Sequence, residues 1–252
     1  QAGAIRFIAG LAPDAPLLNE RLFTAGVTPR PTTPSNIAQK TVVARGDVAK
    51  GFAAAEVVHE GRYVTVPVHQ GYIEPHACVA VAGADGQHQV WVSSQGQFMV
   101  RTLCAKVLGL AAADIRVTPA EIGGGFGGKT TVYLEPLALA LSIRAGRPVR
   151  MVMSRQEVFE ASGPTSGAVV EVALGATRDG RIVAADLVLK YQAGAFAGSP
   201  VGAGCMTALA CYDIEHFSIV GYDVVSNRPK VAAYRAPGAP ISAFAVESAL
   251  DE

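Results

Sequence analysis

The sequence predicts an α+β fold: mixed sheets with helices packed on them. Three observations predict it. Short runs rich in Val and Ile are separated by turn signals such as Ala84-Asp85-Gly86-Gln87 and Arg178-Asp179-Gly180. Two stretches show helical recurrence of apolar residues. Strands outnumber helices and are mixed with them along the chain.

Residues 1–40 are rich in Pro, Thr and Asn with weak periodicity and read as an irregular lead-in. Residues 1–55 together form a linker, with one short helix between Gly46 and Ala55, and the domain proper occupies 56–252. Val57 to Val68, His76 to Gly83 and His88 to Ser93 read as strands, the last two as a hairpin. From Gly96 to Leu108 the pairs Met99/Val100, Leu103/Cys104 and Val107/Leu108 recur every four residues on one stripe, so a helix is expected, stopped by Gly109. A second helix, about Thr130 to Ala145, is apolar nearly all round and is expected to be buried, with Pro136 kinking it or marking its true first turn. Pro148 to Ser154 is a strand. Ala168 to Ala176 and Arg181 to Tyr191 form a second hairpin, Gly194 to Gly204 an uncharged loop, and Phe217 to Val225 a further strand.

A chain of 252 residues, half of them hydrophobic, can bury a real core. Lys+Arg and Asp+Glu number 21 each, so the basic excess that a nucleic-acid or acidic-membrane partner calls for is missing. No apolar run approaches ~20 residues, so no transmembrane helix is expected, and no signal-peptide pattern opens the chain. The four cysteines, Cys78, Cys104, Cys205 and Cys211, form no Cys-x-x-Cys pair and read as small buried hydrophobes in a reducing, cytoplasmic compartment. The chain lacks an initiator Met and stops inside a helical stretch, Ser242 to Glu252, which leads us to expect a piece of a longer protein.

The sharpest local signal is Gly123-Gly124-Gly125-Phe126-Gly127-Gly128-Lys129-Thr130, five glycines around one Phe. Such a loop lets the backbone approach a ligand closely and aims several N–H groups one way, suiting anionic oxygens where a helix begins. It also fits the G-x-x-x-x-G-K-T pattern of nucleotide phosphate loops. That pattern needs a buried apolar strand upstream, whereas Ile115 to Ile122 contains Thr118, Pro119 and Glu121, and Pro119 points to an edge or a bulge.

The loop has company. Gly71-Tyr72-Ile73-Glu74-Pro75-His76 and Trp91-Val92-Ser93-Ser94-Gln95 precede it, and Ala233-Tyr234-Arg235-Ala236-Pro237-Gly238 follows. In that order and spacing the set resembles the molybdenum hydroxylases, the xanthine dehydrogenase and aldehyde oxidoreductase family, over nearly the whole chain from about Asp14. The resemblance implies the first of two halves of a molybdopterin-binding large subunit, with the α+β fold of the aldehyde oxidoreductase type. It implies that the Gln95 amide donates toward the apical oxygen of molybdenum. Gly124, Gly125, Phe126 and Gly127 would lie with their backbone against the metal centre and its pterin, and Arg235 would place positive charge beside the metal. Gln95, Phe126 and Arg235 thus surround the metal without ligating it, while Glu74 and His76 read as structural. The implied cofactor is a molybdenum–molybdopterin, in its cytosine dinucleotide form, with iron–sulfur centres and FAD on partner subunits, since four scattered Cys cannot supply the clusters. The implied reaction hydroxylates an aldehyde or N-heterocycle with oxygen from water. The remainder of the large subunit would carry the glutamate base beyond Glu252, so this chain alone is expected to be inactive. Two alternatives stand beside this reading: a nucleotide-binding protein using Gly123 to Thr130, and a non-catalytic scaffold.

The sequence also departs from the family pattern. Thr130 replaces the glutamate of purine-oxidising members, and Pro237 replaces their aromatic-stacking Phe. Ala236 stands where copper-containing carbon monoxide dehydrogenases place a cysteine, and cannot hold copper. Ile241 replaces a glutamine, and Ser162 to Ser166 an Arg-His-Pro stretch. Purine oxidation and copper chemistry are therefore not expected.

Overall fold

The computed structural model describes residues 15–18 and 31–252; the expected lead-in otherwise falls outside the described residues. The chain divides into two compact units. The first comprises the described residues up to Val68, with Thr165–Val231 and Ala236–Glu252; the second comprises His69–Pro164 and Ala232–Arg235.

The first unit is built on a five-stranded sheet. Its strands are β1 (Ile37–Arg45), β2 (Val57–Thr65), β7 (Ala168–Ala176), β8 (Ile182–Gly194) and β9 (His216–Val225), in the order β1-β9-β8-β7-β2. β7 and β8 form the expected antiparallel hairpin, while β8 and β9 run parallel. Alternation along the strands buries Val170, Val172, Leu174, Leu187, Leu189 and Ile219 in one core with Val201 and Cys205 of helix α5 (Val201–Thr207) and Ala245, Val246 and Ala249 of helix α6 (Ala239–Asp251). Each such large apolar side chain contributes roughly 1.5–3 kcal/mol on burial. A short helix α1 (Val48–Ala53) is capped by Asp47, whose side chain accepts from the Lys50 N–H.

The second unit carries a four-stranded sheet of β3 (Ala77–Ala82), β4 (His88–Val92), β5 (Ile115–Pro119) and β6 (Val149–Val152), ordered β5-β4-β3-β6. β5, ending at Pro119, is an edge strand, the place where a strand proline is tolerated. Cys78, Ala80, Val90, Val92 and Ile115 pack with Val100, Cys104 and Ala105 of helix α2 (Gln97–Leu108) and with Ala138 and Leu139 of helix α3 (Glu135–Ala145). Gly109 closes α2 in the left-handed region at φ 67°.

Several expectations need correction. Strand β1 begins at Ile37, inside the stretch read as irregular; its alternation is weak because it is an edge strand. The uncharged Gly194 to Gly204 stretch runs into α5, a helix sustained by packing on the sheet rather than by propensity. Helix α4 (Arg155–Ala161) was not expected, although its Ser154/Glu157 capping box is written in the sequence. Helix α3 starts at Glu135 rather than Thr130, with Pro136 in its first turn, and it is not buried all round: Leu137, Leu141 and Ile143 are exposed. Cys78, Cys104 and Cys205 are buried as free thiols, but Cys211 is exposed. Among the described residues, no helix is long and apolar enough to cross a membrane.

Candidate functional site

The motifs singled out in the sequence meet in the second unit. β4 ends at Val92, and the chain turns through Ser93, Ser94 and Gln95 into α2. Across from this turn lies the glycine loop. The Gln95 Oε1 accepts from the Gly127 N–H at 2.8 Å and from the Lys129 N–H at 3.3 Å. In return the Gln95 N–H and the Ser94 hydroxyl both donate to the Lys129 carbonyl, at 2.9 and 3.0 Å. The third segment of the meeting is Ala232–Arg235: the Arg235 N–H donates to the Phe126 carbonyl at 2.8 Å. Gln95 and Arg235 are therefore bound to neighbouring residues of one loop.

The glycines answer to these neighbours. A Cβ on Gly125 would stand 2.6 Å from the Gln95 Oε1. Gly127, at φ 99°, would put one 2.8 Å from the Ala233 carbonyl oxygen, a conformation and a closeness that only glycine tolerates. Protein atoms thus already require these two residues to be bare, so their bareness does not by itself call for a ligand. The anion cradle is also partly spent: the N–H groups of Gly123, Gly127, Gly128 and Lys129 donate to protein acceptors.

Lys129 is the residue whose role the sequence concealed. It is 1 % exposed, and its ammonium lies 2.6 Å from Glu74 Oε2, 3.4 Å from the Pro75 carbonyl and 5.0 Å from the centre of the Tyr72 ring. A phosphate-loop lysine must reach a ligand, and this one is turned into the protein. The helix that should start at such a loop begins only at Glu135, and the strand before it lies at a sheet edge. Nothing in this geometry supports nucleotide binding.

Beneath the loop runs a polar network. Tyr72 Oη is 2.6 Å from His76 Nε2 and 3.3 Å from Ser162 Oγ, which is 2.8 Å from His69 Nε2. Burial, then the nearby Lys129 ammonium, brings His76 down to about 4, so it is neutral near pH 7. Burial pushes the Glu74 carboxyl up, but its bonds from Lys129 and the Gly123 N–H outweigh this and hold it below the usual range. Gln70 Nε2 donates to the carbonyls of Ala233 and Gly163, tying the Arg235 segment down from below. Sequence reading missed Gln70 and gave Tyr72 no role beyond its place in the Gly71–His76 motif, since single Gln and Tyr residues carry no signal of what packs on them.

What remains facing outward is a set of donors. With Oε1 occupied, the exposed Gln95 offers its NH₂ end. The Arg235 side chain is exposed and makes no ion pair with any described residue. Phe126 is 45 % exposed and held at φ 51°, one of two non-glycine residues in the left-handed region among those described. A carboxamide donor, a guanidinium and a close-lying loop backbone fit an oxygen-rich anionic group.

Residues 30–252 match the family model of the molybdopterin cofactor-binding domain. The chain belongs to this family. It is 30% identical over 233 residues to a probable hypoxanthine oxidase of Escherichia coli, covering 91% of this chain and 24% of that protein. It is 30% identical over 209 residues to the nicotinate dehydrogenase large molybdopterin subunit of Eubacterium barkeri, covering 82% and 49%. Among solved structures, the aldehyde oxidoreductase of Desulfovibrio desulfuricans aligns at a TM-score of 0.85 with 26% identity, over 96% of this chain and 26% of that one. The molybdopterin-binding domain thus spans from about a quarter to about half the length of these relatives.

Proposed function

We propose that this molybdopterin-binding domain forms one part of a molybdenum-dependent oxidoreductase, the rest of the site lying on further polypeptide. The observation that carries the reading is the capture of Gln95 Oε1 by the loop, which leaves a carboxamide NH₂ as a fixed outward donor. When bound, the cofactor supplies the two-electron chemistry needed to hydroxylate an aldehyde or an N-heterocyclic carbon with oxygen from water. The Gln95 NH₂ would donate to an oxygen of the bound group and so help to orient it. The backbone of Gly124, Gly125, Phe126 and Gly127 limits how the pterin side can lie. Arg235 offsets negative charge that develops on a bound substrate. The cytosine dinucleotide form, electron transfer to iron–sulfur and flavin partners, a cytoplasmic setting and the inactivity of this chain alone belong to the same reading.

Substrate choice follows from what the site lacks. The Thr130 hydroxyl donates to the Gly127 carbonyl at 3.0 Å and carries no charge to read a purine. We therefore favour an aldehyde or a heterocycle recognised by shape over a purine. The test is Gln95→Glu in the full-length protein, with molybdenum and pterin measured per polypeptide. This change keeps the acceptor and removes the NH₂ donor, so the fold should hold while cofactor content or turnover falls at least tenfold, the scale of losing an aimed donor. Unchanged content and turnover would refute the role given to Gln95.

A further inference from the structure

Glu74 and Lys129 close the glycine loop into a ring. A single carboxylate oxygen, Glu74 Oε2, accepts from the N–H of Gly123, the loop's first glycine, at 2.8 Å and from the Lys129 ammonium at the loop's far end at 2.6 Å. The Glu74 N–H donates back to the Gly123 carbonyl at 3.1 Å, so Gly123 is held on both sides. The Lys129 backbone, in turn, makes three hydrogen bonds to the Ser94–Gln95 turn: its carbonyl accepts from the Gln95 N–H and the Ser94 hydroxyl, and its N–H donates to Gln95 Oε1. The Lys129 side chain is fully buried and Glu74 is one-third exposed, so the pair is poorly screened on the lysine side and its geometry is tightly set.

We propose that Glu74, acting through Lys129, is a positioning residue that fixes the direction in which the Gln95 amide points. The chain of contacts is short. The carboxylate holds the ammonium, the ammonium fixes where the Lys129 backbone lies, and the Lys129 N–H joins the Gly127 N–H in holding the oxygen end of the Gln95 carboxamide to the loop. Without the clamp, Oε1 keeps the Gly127 N–H but loses the fixed Lys129 N–H, and an amide held by one donor rather than two turns more freely and would spend part of its time presenting an acceptor to an oxygen. The buried ion pair thus acts on orientation, a role separate from any contribution to stability. This inference rests on the cofactor-binding reading only for the identity of the group that Gln95 faces.

The test uses two variants. Glu74→Gln keeps an acceptor for the Gly123 N–H and removes the charge opposite Lys129. Because a buried unpaired ammonium could unfold the unit, the second variant, Glu74→Gln/Lys129→Met, removes both charges at similar volume. Hydrogen exchange by mass spectrometry on the cofactor-free full-length protein should show amides of 94–97 and 123–130 exchanging at least about tenfold faster in both variants, with the strands of the four-stranded sheet still protected. In the cofactor-loaded full-length enzyme, the double variant should retain molybdenum and lose kcat about tenfold with KM unchanged, the pattern of a misaimed group. Wild-type exchange at both segments in the double variant would overturn the proposal, as would an unchanged kcat. A wild-type protein that never acquires molybdenum or pterin would instead refute the cofactor reading, and hydrogen exchange would still decide the clamp.

Discussion

The two glycine-rich, uncharged stretches of this chain, 123–128 and 194–204, look alike in sequence and became different things. Each is tied down by a carboxylate. Glu74 accepts from the Gly123 N–H, and buried Asp223 accepts from the N–H groups of Gly198 and Ser199 at 2.7 and 2.9 Å. In the first stretch, bare Cα positions let a side-chain amide and a crossing backbone come close, and no helix forms before Glu135. In the second, the chain runs into α5, and Gly204 lies against the buried Tyr191 ring, where a Cβ would stand 2.8 Å from the hydroxyl. Glycine number does not separate the cases. Nor does the kind of neighbour, since a carbonyl approaches Gly127 and Gly194 and an aromatic ring approaches Gly128 and Gly204; what differs is that the second stretch runs on into a helix packed on the sheet, whereas the first leads to no helix before Glu135.

Substitutions can break this comparison. The largest effect is expected from Gly127→Ala, which meets the Ala233 carbonyl and forces alanine to φ 99°. Strain and overlap together should cost roughly 4 kcal/mol, measured by urea unfolding, and a cost under 1 kcal/mol would show that the loop yields. Asp223→Ala removes a buried carboxylate and both of its hydrogen bonds from the Gly198 and Ser199 N–H groups, and should cost about 3 kcal/mol, with no effect on hydrogen exchange at 123–130 if the two stretches are independent. Next is pH. His76, at about 4 when folded, lies below its unfolded value near 6.5, so the unfolded chain binds more protons between the two. Stability should therefore fall as pH drops from 6.5 towards 4, by about 3 kcal/mol in all, and His76→Gln should flatten that slope. The smallest effect is expected from Ser154→Ala, which removes the α4 capping box, at about 1 kcal/mol in the same assay.

How much of this was legible in the sequence follows the same division. Both hairpins, the α2 stop at Gly109 and the edge position of the Pro119 strand could be read because alternation, helical spacing and Gly/Pro geometry are local. The meeting of Gln95, the glycine loop and Arg235 was legible only through the order of motifs. Helix α5 was hidden because Gly and Ala have no periodicity to show, and the sheet supplies its stability. The exposed side of α3 was misread because a helix apolar on every face has no polar stripe to mark which side meets solvent. The inward turn of Lys129 was hidden because its partner, Glu74, lies 55 residues away.

The second unit is stitched into the first at two places. His69–Pro164 leaves and returns where Val68 and Thr165 are joined, the Thr165 N–H donating to the Val68 carbonyl at 2.8 Å, and Ala232–Arg235 enters separately. Excising 69–164 as a continuous module would carry away Gln95, the glycine loop and the Glu74–Lys129 pair, yet leave Arg235 behind. Grafting the site onto another scaffold therefore requires transplanting two pieces of chain, and shuffling by a single crossover would deliver it incomplete.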